Sequence, residues 1–298
     1  MDTQPRGLPA PPPPGSAALP PGTYAGQVVL VTGGGSGLGK AIAAEFARLG
    51  ADLVIAGRRT EQLAVACGEL AAVPGAGRVT AAVCDIRDPE RVADVFDASE
   101  AALGLPDVLV NNAAANFPCP AEDLSPNAWR AVVDTTLTGT WFMTREFGRR
   151  HLAAGTPGSI VNIGASYAWT GGPGFAHSAA AKAGVKNLVE TLAVEWGPYG
   201  IQVNGLVPGL FPHEDMTEDI RGGLERAAPG AKDARQPALR VGAPRELGWA
   251  ATFLASPYAR FVTGHTLVVD GANWQRRSLV SPEVVPLRDQ LGRPPFAR

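Results

Sequence analysis

A glycine-rich segment near the start of the chain is the clearest candidate for chemistry in this sequence. It reads TGGGSGLG over residues 32–39 and lies between an apolar β-type run and an apolar helical pattern. Glycines at such a junction permit a tight turn and let a pyrophosphate approach backbone N–H groups at the start of a helix. The motif predicts a dinucleotide site, the alternative being a flexible turn. Its expected contacts are Gly33, Gly35, Ser36, Gly37, Leu38 and Gly39.

The end of the second apolar run indicates which dinucleotide is bound. The run ends in Ala56-Gly57-Arg58-Arg59 and lacks the carboxylate that would bind a ribose 2′-hydroxyl. An arginine at this position can make charge-assisted hydrogen bonds to a 2′-phosphate. We therefore expect NADPH, with Arg58 as the preferred contact and Arg59 as solvated surface charge. Asp85, which follows the third run, is expected at the adenine, or alternatively as a helix N-cap.

Buried strands and amphipathic helices must position these residues. Short β-type runs occur at 28–31, 53–55, 108–110, 160–161 and 267–269, with helical patterns between them. Apolar runs of this kind suit strands that are buried on both faces. The alternation predicts an α/β fold, a single doubly wound domain with a central parallel sheet.

Three segments depart from this alternation. Residues 1–24 contain a run of four prolines and a further pair, which predicts a proline-rich tail, solvated or alternatively a ligand for another module. The domain covers residues 25–275. Within it, residues 210–240 are rich in proline, glycine and charge and predict a lid, the alternative being a surface insertion. Residues 276–298 are polar with several prolines and are expected to be a C-terminal extension, either a tail or a cover for an edge of the sheet.

Composition argues against several classes of protein. The 298 residues carry a net charge of −2, so no broad basic surface for nucleic acid or an anionic membrane is expected. Three cysteines without a CxxC pair and only four histidines argue against a disulfide scaffold or a metal centre. No apolar run reaches the roughly 18 residues of a membrane-spanning helix. We expect a cytoplasmic protein in a reducing compartment.

Further motifs extend the pattern beyond the glycine-rich segment. NNAA follows the fourth apolar run at residues 111–114, Lys182 lies in a helical pattern, and Pro208 and Gly209 follow another apolar run. Together with TGxxxGxG, this spacing resembles the short-chain dehydrogenase/reductase superfamily over about residues 25–275. The resemblance implies a Rossmann-type fold, a homo-oligomer that is commonly a tetramer, and cofactor contacts from Lys182, Pro208 and Gly209.

One departure from the superfamily pattern points to a branch of it. The usual tyrosine four residues before the lysine is replaced by Ser178. Instead, Asn116 is followed by Phe117, and Tyr167 stands fifteen residues before the lysine. This pattern resembles the 2,4-dienoyl-CoA reductases of mitochondrial and peroxisomal type. The resemblance implies reduction of a 2,4-dienoyl-CoA to a 3-enoyl-CoA by NADPH, in the oxidation of unsaturated fatty acids.

The resemblance assigns catalytic roles to four residues. Asn116 and Tyr167 donate hydrogen bonds to the substrate thioester, Ser178 is a site serine, and Lys182 binds the cofactor ribose. Hydride addition to a conjugated dienoyl thioester moves negative charge onto the thioester oxygen, and preorganised amide and phenol donors stabilise that charge. Taken singly, the first three residues have structural alternatives as a loop hydrogen-bonding group, a packed aromatic and a helix cap.

Substrate contacts also follow from the resemblance. Arg87 and Ser125 are expected near the CoA portion of the substrate, and Phe117 as a wall of the acyl pocket. Two other functions remain open at this point. One is a reductase for another acyl-CoA or a carbonyl, with Tyr167 as the acid. The other is a regulatory protein that binds NADP without catalysis.

Overall fold

A parallel sheet lies at the centre of the computed structural model, which describes residues 8–213, 216, 236–275 and 287–293. Its seven strands are β1 Val28–Thr32, β2 Asp52–Gly57, β3 Val79–Val83, β4 Val108–Asn111, β5 Gly158–Ile163, β6 Ile201–Pro208 and β7 Thr266–Val269. Their order across the sheet is β3-β2-β1-β4-β5-β6-β7, and all neighbouring pairs are parallel. This arrangement confirms the predicted doubly wound α/β fold.

Helices cover both faces of the sheet. In chain order they are α1 Gly37–Arg48, α2 Thr60–Ala71, α3 Pro89–Ala102, α4 Pro126–Val133, α5 Gly139–Ala154, α6 Tyr167–Thr170, α7 Ala176–Trp196, α8 Pro244–Ala255 and α9 Leu287–Gln290. Helices α1, α2 and α8 pack on one face, and α3, α5 and α7 on the other. No helix in the described ranges is long and apolar enough to cross a membrane.

The first strand shows why the sheet requires uninterrupted apolar runs. Val29 and Val31 belong to the hydrophobic cluster with α1, α2 and α8, and Val28 and Leu30 to the cluster with α3, α5 and α7. Side chains alternate along a strand, so a strand buried on both faces must be apolar throughout.

The strand order creates a crevice at the carboxyl ends of β1 and β4. Strands β2 and β3 lie on one side of β1, and strands β4 to β7 lie on the other side. At such a switch point the loops that follow the two central strands diverge. The glycine-rich loop follows β1 and Asn112 follows β4, so the topology places both beside the crevice.

The described part of the proline-rich segment, residues 8–24, contacts the domain. Tyr24 is fully buried, packs its ring edge on Phe46 with centroids 4.8 Å apart, and donates a hydrogen bond to the Thr252 carbonyl at 2.5 Å. At the other end, the Leu8 amide donates to the Ala238 carbonyl at 2.9 Å. The segment is thus attached to the domain at both ends.

Two sequence predictions fall mainly outside the described residues. Of the predicted lid at 210–240, positions 214–215 and 217–235 lie outside them. Of the predicted C-terminal extension at 276–298, only 287–293 lies within them. Both assignments stay predictions.

Candidate active site

A cavity of about 340 Å³ occupies the crevice between β1 and β4. The six residues predicted from the glycine-rich motif all line it, namely Gly33, Gly35, Ser36, Gly37, Leu38 and Gly39. The loop leads directly into α1, whose first turn contains no acidic residue. A helix N-terminus without nearby carboxylates favours an anion. The geometry therefore suits the pyrophosphate of a dinucleotide.

Glycine is required in this loop by the close approach of backbone to backbone. A side-chain carbon at Gly39 would overlap the Gly33 carbonyl oxygen and the Asn112 amide nitrogen. Gly37 has φ of +50°, a conformation that residues with a Cβ rarely adopt. Asn112 also lines the cavity, and its side-chain amide donates to the Thr32 carbonyl at 3.0 Å, which fixes the loop after β4 against the end of β1. The residues present therefore fit a bound dinucleotide.

We expect Gly39→Ala to destabilise the fold and weaken dinucleotide binding together. Overpacking a tight contact typically costs about 1 to 3 kcal/mol. The measurements are denaturant unfolding and dinucleotide affinity. Gly68→Ala is the matched control, because Gly68 lies in α2 with no atom within 4 Å of an added side-chain carbon. It should raise stability by about 0.5 to 1 kcal/mol. Equal behaviour of the two variants would contradict the steric explanation.

Two arginines follow β2 at the edge of this cavity. Arg58 and Arg59 are both exposed and both line it. None of the described lining residues is aspartate or glutamate. Charge at this end of the cavity is therefore positive, which favours a phosphate group over a bare ribose hydroxyl. Arg59 is also the residue that precedes α2.

Asp85 and Arg87 form an ion pair after β3, although the sequence assigned them to different ligands. Arg87 Nε lies 2.9 Å from Asp85 Oδ1. Hydrogen bonding by this guanidinium lowers the pKa of the Asp85 carboxyl below its ordinary value. The alternative role of Asp85 as a helix cap is wrong, because Asp88 caps α3 by accepting hydrogen bonds from the Glu90 and Arg91 amides.

Three predicted catalytic side chains come together at the carboxyl ends of β4 and β5, next to this cavity. Asn116 lies in the loop after β4, Tyr167 opens α6 after β5, and Ser178 lies in the first turn of α7. The Tyr167 hydroxyl is 3.3 Å from Asn116 Nδ2, which donates to it, and 2.9 Å from Ser178 Oγ. Ser178 is buried, and Asn116 Oδ1 is buried without a hydrogen-bond partner among the described residues.

This cluster leaves donors available to a ligand. Burial raises the pKa of Tyr167, and hydrogen bonds from Ser178 and Asn116 oppose that rise only in part. The phenol therefore remains protonated at neutral pH. If the Ser178 hydroxyl donates to the phenol oxygen, the phenolic hydrogen is free to donate elsewhere. Asn116 Nδ2 carries a second N–H as well.

Lys182 lies one turn after Ser178 on α7. Its side chain is 7% exposed, and its Nζ donates to the Ile163 carbonyl at the end of β5. Burial lowers the Lys182 pKa to about 8. The lysine is thus held at the carboxyl edge of the sheet, at the end of β5.

The remaining predicted residues occupy different surroundings. Phe117 packs edge-on against His177 with ring centroids 4.6 Å apart. Ser125 is exposed and caps α4, accepting a hydrogen bond from the Ala128 amide at 3.2 Å. Pro208 ends β6, and the Gly209 amide donates to the Val269 carbonyl of β7 at 2.9 Å.

Sequence reasoning missed two residues that lie beside these groups, Thr136 and His177. The Thr136 hydroxyl bonds both the amide and the carbonyl of Ala115, at 3.2 and 3.3 Å, and so fixes the loop that carries Asn116. His177 is completely buried beside Ser178, and burial lowers its pKa. No motif marks Thr136, whereas His177 adjoins a predicted residue and could have been found on that ground.

Comparison with known proteins agrees with this geometry. A family model described as enoyl-(acyl carrier protein) reductase matches residues 33–272. The chain belongs to the short-chain dehydrogenase/reductase family. A short-chain dehydrogenase structure from Bacillus anthracis superposes with a TM-score of 0.74 at 38% identity, covering 83% of this chain and 96% of that one. Proteins of this family use a nicotinamide dinucleotide, which the glycine cradle fits, and the protein is an oxidoreductase.

Two curated relatives carry more specific names. A probable 2,4-dienoyl-CoA reductase of Bacillus subtilis, named as (2E)-enoyl-CoA-producing, is 39% identical over 250 residues, covering 83% of this chain and 96% of the relative. The peroxisomal 2,4-dienoyl-CoA reductase of Mus musculus, named as (3E)-enoyl-CoA-producing, is 38% identical over 252 residues, covering 83% and 84%. The chain is therefore similar to members of the predicted branch.

Proposed function

We propose that this protein uses NADPH to reduce 2,4-dienoyl-CoA to 3-enoyl-CoA, in the oxidation of unsaturated fatty acids. The observation that carries the proposal is the cluster of Asn116, Tyr167 and Ser178, in which the Tyr167 hydroxyl lies within 3.3 Å of both partners. The names of the curated relatives support the same substrate class.

The proposed reaction places charge where these donors can stabilise it. A bound nicotinamide dinucleotide supplies the hydride. Hydride addition at C5 of the dienoyl chain moves an electron pair through the conjugated system onto the thioester oxygen. Tyr167 and Asn116 donate hydrogen bonds to that oxygen while the dienolate exists. Because burial raises the Tyr167 pKa, the phenol can donate without losing its proton.

Protonation of carbon then completes the reaction. A proton from water added at C2 gives the 3-enoyl product, and one added at C4 gives the 2-enoyl product. The relatives named above differ on this point. The proposal commits to protonation at C2, with Ser178 keeping the phenol oriented toward the thioester rather than toward carbon. Lys182 would hold the ribose of the dinucleotide from α7.

A panel of acyl-CoAs tests the proposed function. With NADPH, a 2,4-dienoyl-CoA should be consumed, whereas the 2-enoyl-CoA of equal length, saturated at C4, should not. Consumption is followed by NADPH absorbance, and the double-bond position in the product by mass spectrometry. Equal turnover of the two thioesters, or turnover of a simple ketone instead, would indicate a different reductase. Dinucleotide binding without any turnover would indicate a regulatory binding protein.

The proposal extends to assembly and location. We expect a homo-oligomer, a tetramer, by resemblance to the short-chain dehydrogenase/reductase superfamily. We expect the cytoplasm, where the three free cysteines would stay reduced. Light scattering of the purified protein measures its oligomeric state. Microscopy of a tagged protein shows its location in the cell.

A further inference from the structure

The proline-rich segment is held by side chains of α8 and of the residues just before it. The strap is defined here as residues 8–16, and the α8 groove as Arg240, Arg245 and Trp249. Arg240 Nε donates to the Pro9 carbonyl at 3.0 Å, and Arg245 Nη2 to the Pro12 carbonyl at 2.9 Å. Trp249 has a single indole N–H, which it shares between the Ser16 carbonyl at 3.2 Å and Glu45 Oε2 of α1 at 3.0 Å. All three contacts use backbone carbonyls of the strap.

This pattern suits recognition of a proline-rich chain. Proline has no backbone N–H, so its carbonyl is the group through which a polar partner can hold it. In an extended proline-rich chain, residues three apart lie on the same side. Pro9 and Pro12 have that spacing, and their carbonyls both meet arginines of the groove. The Arg245 guanidinium also lies over the Trp249 ring, 5.9 Å from its centroid, which gives the groove an aromatic floor.

Hydrogen bonds also connect the strap to residues 236–242, which lie between the strap and the sheet. Arg240 belongs to this segment and also pairs with Glu246 of α8, at 2.8 and 2.7 Å. The Leu8 amide donates to the Ala238 carbonyl, and the Gly242 amide donates to the Leu210 carbonyl after β6. Residues 236–242 are therefore held by the strap on one side and by the loop after β6 on the other.

A cavity of about 340 Å³ lies where these segments meet, beyond the ends of β6 and β7. Leu8 of the strap contributes to its wall, together with Phe211, Arg240, Asp270 and Trp274. Trp274 in turn stacks on Trp169, two residues after the candidate catalytic Tyr167, with centroids 5.5 Å apart. The strap thus borders a cavity whose far wall adjoins the candidate active site.

We infer that the α8 groove is a docking surface for a proline-rich segment, and that its occupant is this chain's own strap. Docking fixes residues 236–242 and completes the wall of the cavity beyond β6 and β7. In this arrangement the strap tunes substrate binding without touching the dinucleotide. The effect on substrate, but not the docking itself, rests on the proposed function.

Hydrogen exchange of the full-length protein tests the docking. Arg245→Gln removes the guanidinium that bonds Pro12 and covers Trp249. The Leu239 and Gly242 amides should then exchange about twofold to tenfold faster, the equivalent of one hydrogen bond. The double variant Pro11→Gly with Pro13→Gly alters no described side-chain contact but adds freedom to the undocked strap. This double variant should also make the Leu239 and Gly242 amides exchange faster. Arg145→Gln, an exposed change on α5 across the sheet, is the matched control and should change neither amide.

Substrate kinetics and dinucleotide affinity test the consequence. The groove variant Arg245→Gln and the strap variant with both prolines replaced should each raise KM for the dienoyl-CoA severalfold, with kcat and the NADPH dissociation constant unchanged. Unchanged exchange in both variants would overturn the docking. Faster exchange with an unchanged KM would overturn the link to the cavity. If the wild-type protein reduces no dienoyl-CoA, the proposed function fails, and the exchange measurement still decides whether the strap docks.

Discussion

Tyr167→Phe and Asn116→Ala should each lower kcat for dienoyl-CoA reduction by about a hundredfold to a thousandfold. Each change removes one preorganised donor to the developing negative charge, and such a loss typically costs about 2.7 to 4 kcal/mol. Neither residue is assigned to the dinucleotide, so the NADPH dissociation constant should be nearly unchanged. Steady-state kinetics and direct binding measure the two effects separately. The two changes should not be additive, because Asn116 Nδ2 and the Tyr167 hydroxyl lie 3.3 Å apart and act on one oxygen.

Two further variants serve as comparisons for Tyr167→Phe and Asn116→Ala. Ser178→Ala should reduce kcat less, because the serine orients the phenol and does not itself contact the thioester oxygen. Tyr199→Phe is the matched control, since Tyr199 is exposed and lies in the turn after α7. If Ser178→Ala lost all activity while Tyr167→Phe kept full activity, the proton or hydrogen bond would come from position 178. This is the position at which the family usually has its tyrosine, four residues before the lysine. The assignment of Tyr167, and with it the main argument for this substrate class, would then be wrong.

NADPH should exceed NADH in kcat/KM by roughly tenfold to a hundredfold, and Arg58→Ala should remove most of this preference. The expected size is that of one charge-assisted hydrogen bond to a 2′-phosphate, about 1.5 to 3 kcal/mol. The exposure of Arg58 places the effect at the lower end of this range and makes it weaker at high salt. The ratio of kcat/KM for the two cofactors, measured in both proteins at two salt concentrations, checks it.

Arg59→Ala separates a specific contact from general charge. Arg59 follows Arg58 directly and lines the same cavity, so its removal changes the local charge by the same amount. It should shift the cofactor ratio only slightly. Equal effects of the two variants would mean that overall positive potential, and not one arginine, sets the preference. An unchanged ratio in Arg58→Ala would remove this residue from the specificity site.

Much of the architecture was readable from sequence because it depends on local patterns. A strand buried on both faces needs consecutive apolar residues, as in Val28 to Val31, and a helix on the sheet needs an apolar stripe. The position of the glycine-rich loop between β1 and α1 could be predicted for the same reason. Its tight turn and its backbone contacts involve residues near one another in the chain, except for Asn112.

Pairings between distant segments were decided by the tertiary structure. Asn116 and Tyr167 are 51 positions apart, and they meet because β4 and β5 are neighbours whose carboxyl ends lie at one edge of the sheet. Sequence resemblance could assign both to one site but could not give their contact with Ser178. Likewise, Asp85 and Arg87 were assigned to different ligands, and only the geometry of the turn after β3 shows that they pair.

The proline-rich segment depends both on local sequence and on contacts with distant residues. Its composition favours extended polyproline geometry and removes the backbone N–H at every proline, although the structure also has a turn in which the Ser16 amide donates to the Pro13 carbonyl at 3.2 Å. Whether such a chain remains in solvent depends on a partner surface, and here Arg240, Arg245 and Trp249 supply one from more than two hundred residues away. A propensity is a property of neighbouring residues and can be read along the chain. A contact requires two surfaces to be brought together, and only the folded sheet and helices do that.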